Sequence, residues 1–258
     1  AFLGAVVASA CSNPWVGILA APVAGVLVAL LLALFGLRYR VNQIVVGVVL
    51  NVLVSGLTGF LFSTFLSSSP SLNRALRLPT LAVPLLSRIP IIGPVLFRQT
   101  ILVYLMYAAV AVLSVMLFRS RWGLRLRACG EHPKAADTVG INVMRTRVAN
   151  LALAGALAGL GGAFFTVGSG LSFENDMTAG NGYIALAAMI LGAWRPLGSL
   201  GAALLFGFAT SVAQTLPVIG SSVSPDIISM IPYIVTILAV AGFVGKVRAP
   251  AAEGVPYP

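Results

Sequence analysis

Gln43-Ile44-Val45-Val46-Gly47-Val48-Val49-Leu50-Asn51-Val52-Leu53-Val54-Ser55-Gly56-Leu57-Thr58-Gly59-Phe60-Leu61-Phe62-Ser63-Thr64-Phe65-Leu66 runs through the chain without one charged residue. A helix of about 20 apolar residues, rising about 1.5 Å each, crosses the hydrocarbon of a bilayer. Residues 43–66 are therefore read as a transmembrane helix, closed by Ser67-Ser68-Ser69-Pro70. The same reading finds spans at 15–37, 100–118, 148–168, 197–216 and 227–245. Residues 182–194 are apolar but short, which suits a broken or half-crossing helix. Residues 1–10 are shorter still and read as a truncated N-terminal helix. The fold class expected is all-α: a polytopic transmembrane bundle of about seven spans plus that truncated helix.

Composition agrees. Of 258 residues, 59% are apolar and only 9% charged, with a mean hydropathy of +1.02. A soluble domain carries roughly 25% charged residues. Soluble enzymes, nucleic-acid-binding domains and disordered chains are excluded on that ground. A β-barrel would show alternating segments of about ten residues instead.

The net charge of +10 is explained by sidedness rather than by nucleic acid. With residues 119–147 placed inside, twelve of the sixteen Lys and Arg fall on the inner side. Arg74, Arg77, Arg88 and Arg98 lie in the outer segment 67–99. Glu174, Asp176 and Asp226 fall outside as well. That count closes only if 182–194 serves as one crossing. Within the outer segment Pro79, Pro84, Pro90 and Pro94 forbid one straight span. Its apolar stretches, 81–86 and 89–97, are expected at the membrane interface or as a cap on the bundle. Cys11 and Cys129 then lie on opposite sides and cannot pair. With one histidine and no close cysteine pair, no metal or haem site can be assembled.

No catalytic constellation is present, and no phosphate-binding G-x-x-x-x-G-K-[ST] loop. The six acidic residues all lie outside the clear spans, which argues against proton coupling. What stands out is polarity within a span. Gln43, Gly47, Asn51, Ser55 and Gly59 recur every four residues and share one helix face. Amides are costly in hydrocarbon unless they meet a partner or a cavity. Two uses compete: interhelical hydrogen bonding, and the lining of a path for a neutral polar solute. Gly155-x-x-x-Gly159 reads as a close-packing face, and Gly198, Gly201 and Gly207 read the same way.

The inner loop holds Gly130-Glu131-His132-Pro133-Lys134-Ala135-Ala136-Asp137-Thr138-Val139-Gly140-Ile141. Pro133 suits a first helical turn and Gly140 a stop. The helix between them is too short to stand alone and needs a partner surface.

This segment resembles the cytoplasmic coupling segment of ABC importer permeases serving branched-chain amino acids, ribose-type sugars and nucleosides. Ala154-Gly155-Ala156-Leu157-Ala158-Gly159-Leu160-Gly161-Gly162-Ala163 is similar to that family's next helix. Thr178-Ala179-Gly180-Asn181-Gly182-Tyr183-Ile184-Ala185-Leu186-Ala187 also matches its pattern. Residues 184–207 and 40–51 look most like the nucleoside, or simple-sugar-like, branch. Family members carry further N-terminal helices before the position of Ala1. His132 stands where they more often have Asn.

The resemblance implies a transport subunit without enzymatic activity of its own. Residues 1–245 would be one permease domain and 246–258 a cytoplasmic tail, which the composition leaves frayed. ATP would be bound by separate cytoplasmic ABC ATPase subunits, so no cofactor belongs to this chain. Glu131, His132, Pro133, Ala135, Ala136 and Gly140 would form the coupling element. Gln43, Asn51 and Ser55 would line the pathway, with Asn181 and Tyr183 near its outer mouth. A second permease subunit, a different chain, would complete the pathway. A substrate-binding protein would dock outside, near 71–99 and 172–181. Membrane lipid, and no nucleic acid, would surround the chain in a bacterial plasma membrane. The alternative is an ATP-independent channel or secondary transporter for a neutral solute. A membrane scaffold without transport is a third class.

Overall fold

The computed structural model describes residues 1–74, 76–82, 97–219, 230, 234, 237, 249–255 and 257. Helix α1 covers Phe2–Ala10 and α2 Pro14–Ala33. Asn13 caps α2, its side chain accepting from the Trp15 N–H at 3.0 Å, and Pro14 occupies the first turn. Helix α3 runs Gln43–Leu61, capped by Asn42. A short 3₁₀ turn at Pro70–Leu72 leads to strand β1, Thr80–Ala82. Strand β2, Arg98–Thr100, pairs with it antiparallel in the register Thr80↔Thr100. Helices α4 (Ile101–Arg119), α5 (Arg121–Glu131) and α6 (Pro133–Thr138) follow. Then come α7 (Val143–Ala163), α8 (Asn181–Leu191) and α9 (Pro196–Val218). Helices α2, α3 and α7 each end in a π-helical turn, at Leu34–Arg38, Phe62–Leu66 and Phe164–Gly168.

Among the described residues five helices are long and apolar enough to cross a membrane: Pro14–Arg38, Gln43–Leu66, Ile101–Arg119, Val143–Gly168 and Pro196–Pro217. They correspond to five of the spans read from sequence. Helix α8 has 11 residues, about 16 Å of helix, half of a bilayer's hydrocarbon. The span expected at 227–245 falls almost wholly outside the described residues, as do most of the apolar stretches 81–86 and 89–97. The β1–β2 pair corrects the all-helical expectation. Prolines that exclude a straight helix leave room for an extended pair at the ends of the outer segment. The Tyr104 hydroxyl ties that pair to α4 by donating to the Leu81 carbonyl at 3.0 Å.

The chain divides into two compact units. The first holds Ala1–Ala108, Arg125–Ala179 and Ala252–Pro258. Its centre is the crossing of α2 and α7. Gly17, Ala21, Gly25, Ala29 and Ala33 recur every four residues on α2, and Gly155, Gly159 and Ala163 face them from α7. A Cβ on Gly155 would stand 2.5 Å from the Ala29 Cβ and would overlap the Gly25 carbonyl. A Cβ on Gly159 would overlap the Ala21 carbonyl in the same way. Between helices in lipid there is little hydrophobic drive. Such backbone approach holds them through dispersion and weak Cα–H···O contacts. The small-residue face expected at Gly155 and Gly159 is thus observed. The α2 half of it is a signal in plain sequence that the glycine spacing of α7 alone did not reveal.

The second unit holds Ala109–Leu124 and Gly180–Ala251. There α8 turns into α9 at a corner where Ala193 and Trp194 adopt positive φ. A Cβ on Gly192 would stand 2.5 Å from the Gly198 carbonyl carbon, so the corner is closed backbone to backbone. Gly198 therefore packs as expected. Gly201 and Gly207 do not: a Cβ on either meets nothing among the described residues.

Candidate functional site

The inner segment is built as the sequence suggested, with one addition. Helix α6 starts at Pro133, its N-cap His132 taking extended φ without a side-chain cap bond. It ends at Gly140, whose φ of +82° sits in the left-handed region that glycine occupies without strain. The Gly140 N–H donates to the Asp137 carbonyl at 2.9 Å, and the Ile141 N–H to the Ala136 carbonyl at 3.1 Å. Ahead of it lies α5, read from sequence only as polar loop. Trp122, Leu126 and Cys129, spaced i, i+4 and i+7 on its less exposed face with Arg121, Arg125 and Arg127 exposed, are the amphipathic signal that marks it.

Ala136 is 3% exposed and packs with Cys129 and Val143. It is the one buried residue of α6. Glu131, His132, Lys134, Ala135 and Gly140 are exposed, and Pro133 is half-buried. The site residues named for this element thus divide: Ala136 holds α6 to its own chain, and the others form its outer surface. Burial pushes the Cys129 thiol above its ordinary pKa, against opposing contributions from the Thr146 hydroxyl and Arg147. The group stays a neutral thiol of the core, and Cys11 and Cys129 are both free.

Of the tail expected to be frayed, 249–255 and Tyr257 are described, and they are held. The Ala252 N–H donates to the Gly130 carbonyl at 2.9 Å, and Arg147 Nη1 donates to the Val255 carbonyl at 2.9 Å. The Tyr257 ring joins the Ala136 cluster, with the Arg147 guanidinium 6.0 Å from its centroid. The Tyr257 hydroxyl is hydrogen-bonded with Asp137 on α6. That bond, then burial, raises its pKa.

On α3 the polar stripe is split. Gln43 is half-buried, its side chain lying over Gly36. Asn51 and Ser55 are exposed, and the buried residues of the helix are Val46 and Leu50 on another face. A Cβ at Gly47 would meet nothing among the described residues. Gly59, lying against the Asn175 amide, also touches another part of the unit. Within the described residues, then, the stripe joins no helix pair at Asn51.

In the second unit α8 and α9 enclose a cleft of about 350 Å³. Asn181, Thr210, Ser211 and Gln214 give it a polar end, and Ala188 and Phe206 an apolar floor. Asn181 opens α8 behind Gly180, which takes φ +73°. Tyr183 points elsewhere and is 67% exposed. Gln214, Ser211 and Thr210 escaped the sequence reading. Their spacing on a helix already read as a span could have marked them.

The expected outer loops are joined. Asn73 Nδ2 donates to the Phe173 carbonyl at 2.9 Å, and the Phe173 N–H donates to Asn73 Oδ1 at 2.7 Å. The Phe173 ring packs edge-on against Phe2, centroids 5.1 Å apart, and near Phe62 at 5.9 Å. Replacing Asn73 by Leu strips both bonds and leaves the Phe173 amide unpaired. The expected cost is about 1–3 kcal/mol. It is read as a fall of several degrees in the melting midpoint of the detergent-solubilised protein.

The sequence is similar to known proteins along nearly its whole length. The family model described as the permease component of the branched-chain amino acid transport system matches residues 1–240. The chain is 39% identical to the guanosine ABC transporter permease protein NupQ of Bacillus subtilis, over 95% of this chain and 77% of that one. It is 41% identical to the nucleoside ABC transporter permease protein NupC of Lactococcus lactis, over 95% and 78% respectively. With the putative glucose ABC transporter permease protein TsgC13 of Haloferax volcanii it shares 31% over 91% and 76%. No solved structure matches the chain.

Proposed function

The chain belongs to the family of branched-chain amino acid transport system permease components, and from that premise we propose that it passes nucleosides. It is a multi-pass permease subunit of an ABC importer. The observation that carries the substrate is the pair of relatives near 40% identity, matched over 95% of this chain, whose names specify guanosine and nucleoside transporters. The chemistry supports it. Asn51 and Ser55 on α3, and Asn181 with Gln214 in the α8–α9 cleft, are uncharged groups that both donate and accept. A nucleoside presents hydroxyls and base edges of the same kind.

In this reading residues 1–245 act as one permease domain. Gln43, Asn51, Ser55, Asn181 and Tyr183 belong to the pathway, Tyr183 at its outer mouth. A second, different permease chain faces the exposed stripe of α3. The exposed surface of Glu131, His132, Pro133, Ala135 and Gly140 docks into cytoplasmic ATPase subunits, which bind and hydrolyse ATP. The joined loops around Asn73 and Phe173 receive a substrate-binding protein. The subunit lies in a bacterial plasma membrane with residues 246–258 in the cytoplasm.

Asn51→Leu keeps the size of the side chain and removes its amide. Uptake of labelled nucleoside by the assembled importer is expected to fall about tenfold, the weight of a lost buried hydrogen bond to solute. Co-purification with the partner subunits should persist. Loss of assembly instead would assign Asn51 to helix association. Gln214→Leu is expected to behave likewise.

A further inference from the structure

We propose that Ala252, Val255 and Tyr257 brace the coupling element, with Tyr257 and Arg147 as positioning residues for α6. The proposal rests on the reading of α6 as the coupling helix.

Helix α6 has six residues. A helix of two turns does not hold its shape in water unaided. One buried side chain, Ala136, is a single point of attachment, about which a short helix can still tilt. The 252–257 segment adds three more attachments, each on a different element. Ala252 is bonded to Gly130 on α5. Val255 accepts from Arg147 on α7. Tyr257 reaches α6 itself, its ring in the Ala136 cluster and its hydroxyl with Asp137. Arg147 serves twice, bonding the backbone of the segment and covering the Tyr257 ring. Three elements are thus tied through one short stretch of chain that turns at 251–254, and a body held at points on three sides cannot rock. Charge assists: the guanidinium bond to a carbonyl is stronger than a neutral one. The Asp137 carboxylate lies in the last turn of α6, where a negative charge is least favoured by the helix dipole. The tyrosine hydroxyl offsets that placement.

The test uses the whole importer, permease with its ATPase and binding-protein partners, in nanodiscs. A spin label is attached at Lys134→Cys, on the exposed side of α6, in a Cys11→Ser background that removes the exposed thiol and retains Cys129, which burial shields. Tyr257→Ala should raise label mobility and lower nucleoside taken up per ATP hydrolysed about tenfold, the combined weight of a ring contact and one hydrogen bond. Tyr257→Phe, which keeps the ring, should show a smaller change in both. Arg147→Met should resemble Tyr257→Ala. Unchanged label mobility in Tyr257→Ala overturns the brace. Raised mobility with unchanged uptake per ATP leaves the brace standing and overturns the assignment of α6 to coupling.

Discussion

Gly155→Leu is expected to remove most of the folded protein from the membrane fraction. The position faces backbone, not side chains. A single Cβ there already meets the Ala29 Cβ at 2.5 Å and overlaps the Gly25 carbonyl. Ordinary overpacking costs about 1–3 kcal/mol because neighbouring rotamers can yield. At this crossing nothing can rotate away, so the helices must separate and lose the approach that holds them. The cost then becomes comparable with the whole stability of a domain, about 5–15 kcal/mol. The measurement is the yield of monodisperse protein after detergent extraction. Gly161→Leu is the control: on the same helix, its Cβ would meet nothing among the described residues, and its yield should stay near wild type. Equal yields would refute the α2–α7 crossing.

The second large effect concerns Ala136→Glu. The side chain would put a carboxylate among Cys129, Val143 and Tyr257. Burying an unpaired charge is costly enough that the helix would leave its seat instead. The spans are untouched, so insertion should proceed normally. Substrate-stimulated ATP hydrolysis in the assembled complex is expected to fall by more than roughly tenfold, since the docking surface loses its only buried anchor. Ala135→Glu, one residue earlier and exposed, alters the outer surface without unseating the helix. Inhibition by both variants places Ala135 on the docking face. Inhibition by Ala136→Glu alone confines that face to other residues of α6. Wild-type hydrolysis in Ala136→Glu would sink the coupling role.

The five long helices were legible because a bilayer imposes a length and a polarity that a run of residues either meets or fails. Two starts were legible where a cap is chemical: Asn13 and Asn42 each accept a backbone N–H at the start of their helix. Gly140 stopped α6 for the same kind of local reason. The start of α7 was read at 148 and lies at Val143, behind Asn142, because its first turns carry Arg145 and Arg147 and do not read as span. The β1–β2 pair was hidden because its partners lie 16 to 20 residues apart, and pairing at that distance leaves no periodic trace in three-residue strands. The docking of Ala252, Val255 and Tyr257 was hidden because a polar, proline-containing stretch reads as solvated whatever it touches. At the candidate site, residue types pointed to Asn51 and Asn181 but could not distinguish the buried Ala136 from its exposed neighbour Ala135. That difference depends on which side of a two-turn helix meets Cys129.

The α2–α7 crossing also has a mechanical meaning. Two helices separated by side chains can slide, because rotamers exchange and methyl groups roll past one another. Two helices in contact through glycine backbone have no such lubricant. Helix α7 begins at Val143, three residues after Gly140, so displacement of α6 enters it directly. Gly155 and Gly159 then pass it to α2 without slip, and Gly17 passes it to α1, where a Cβ would stand 2.5 Å from the Gly4 carbonyl. The three helices form a stiff truss, and in the coupling role proposed for α6 a stroke delivered at its foot would arrive at its far end as rotation, with little lost to bending.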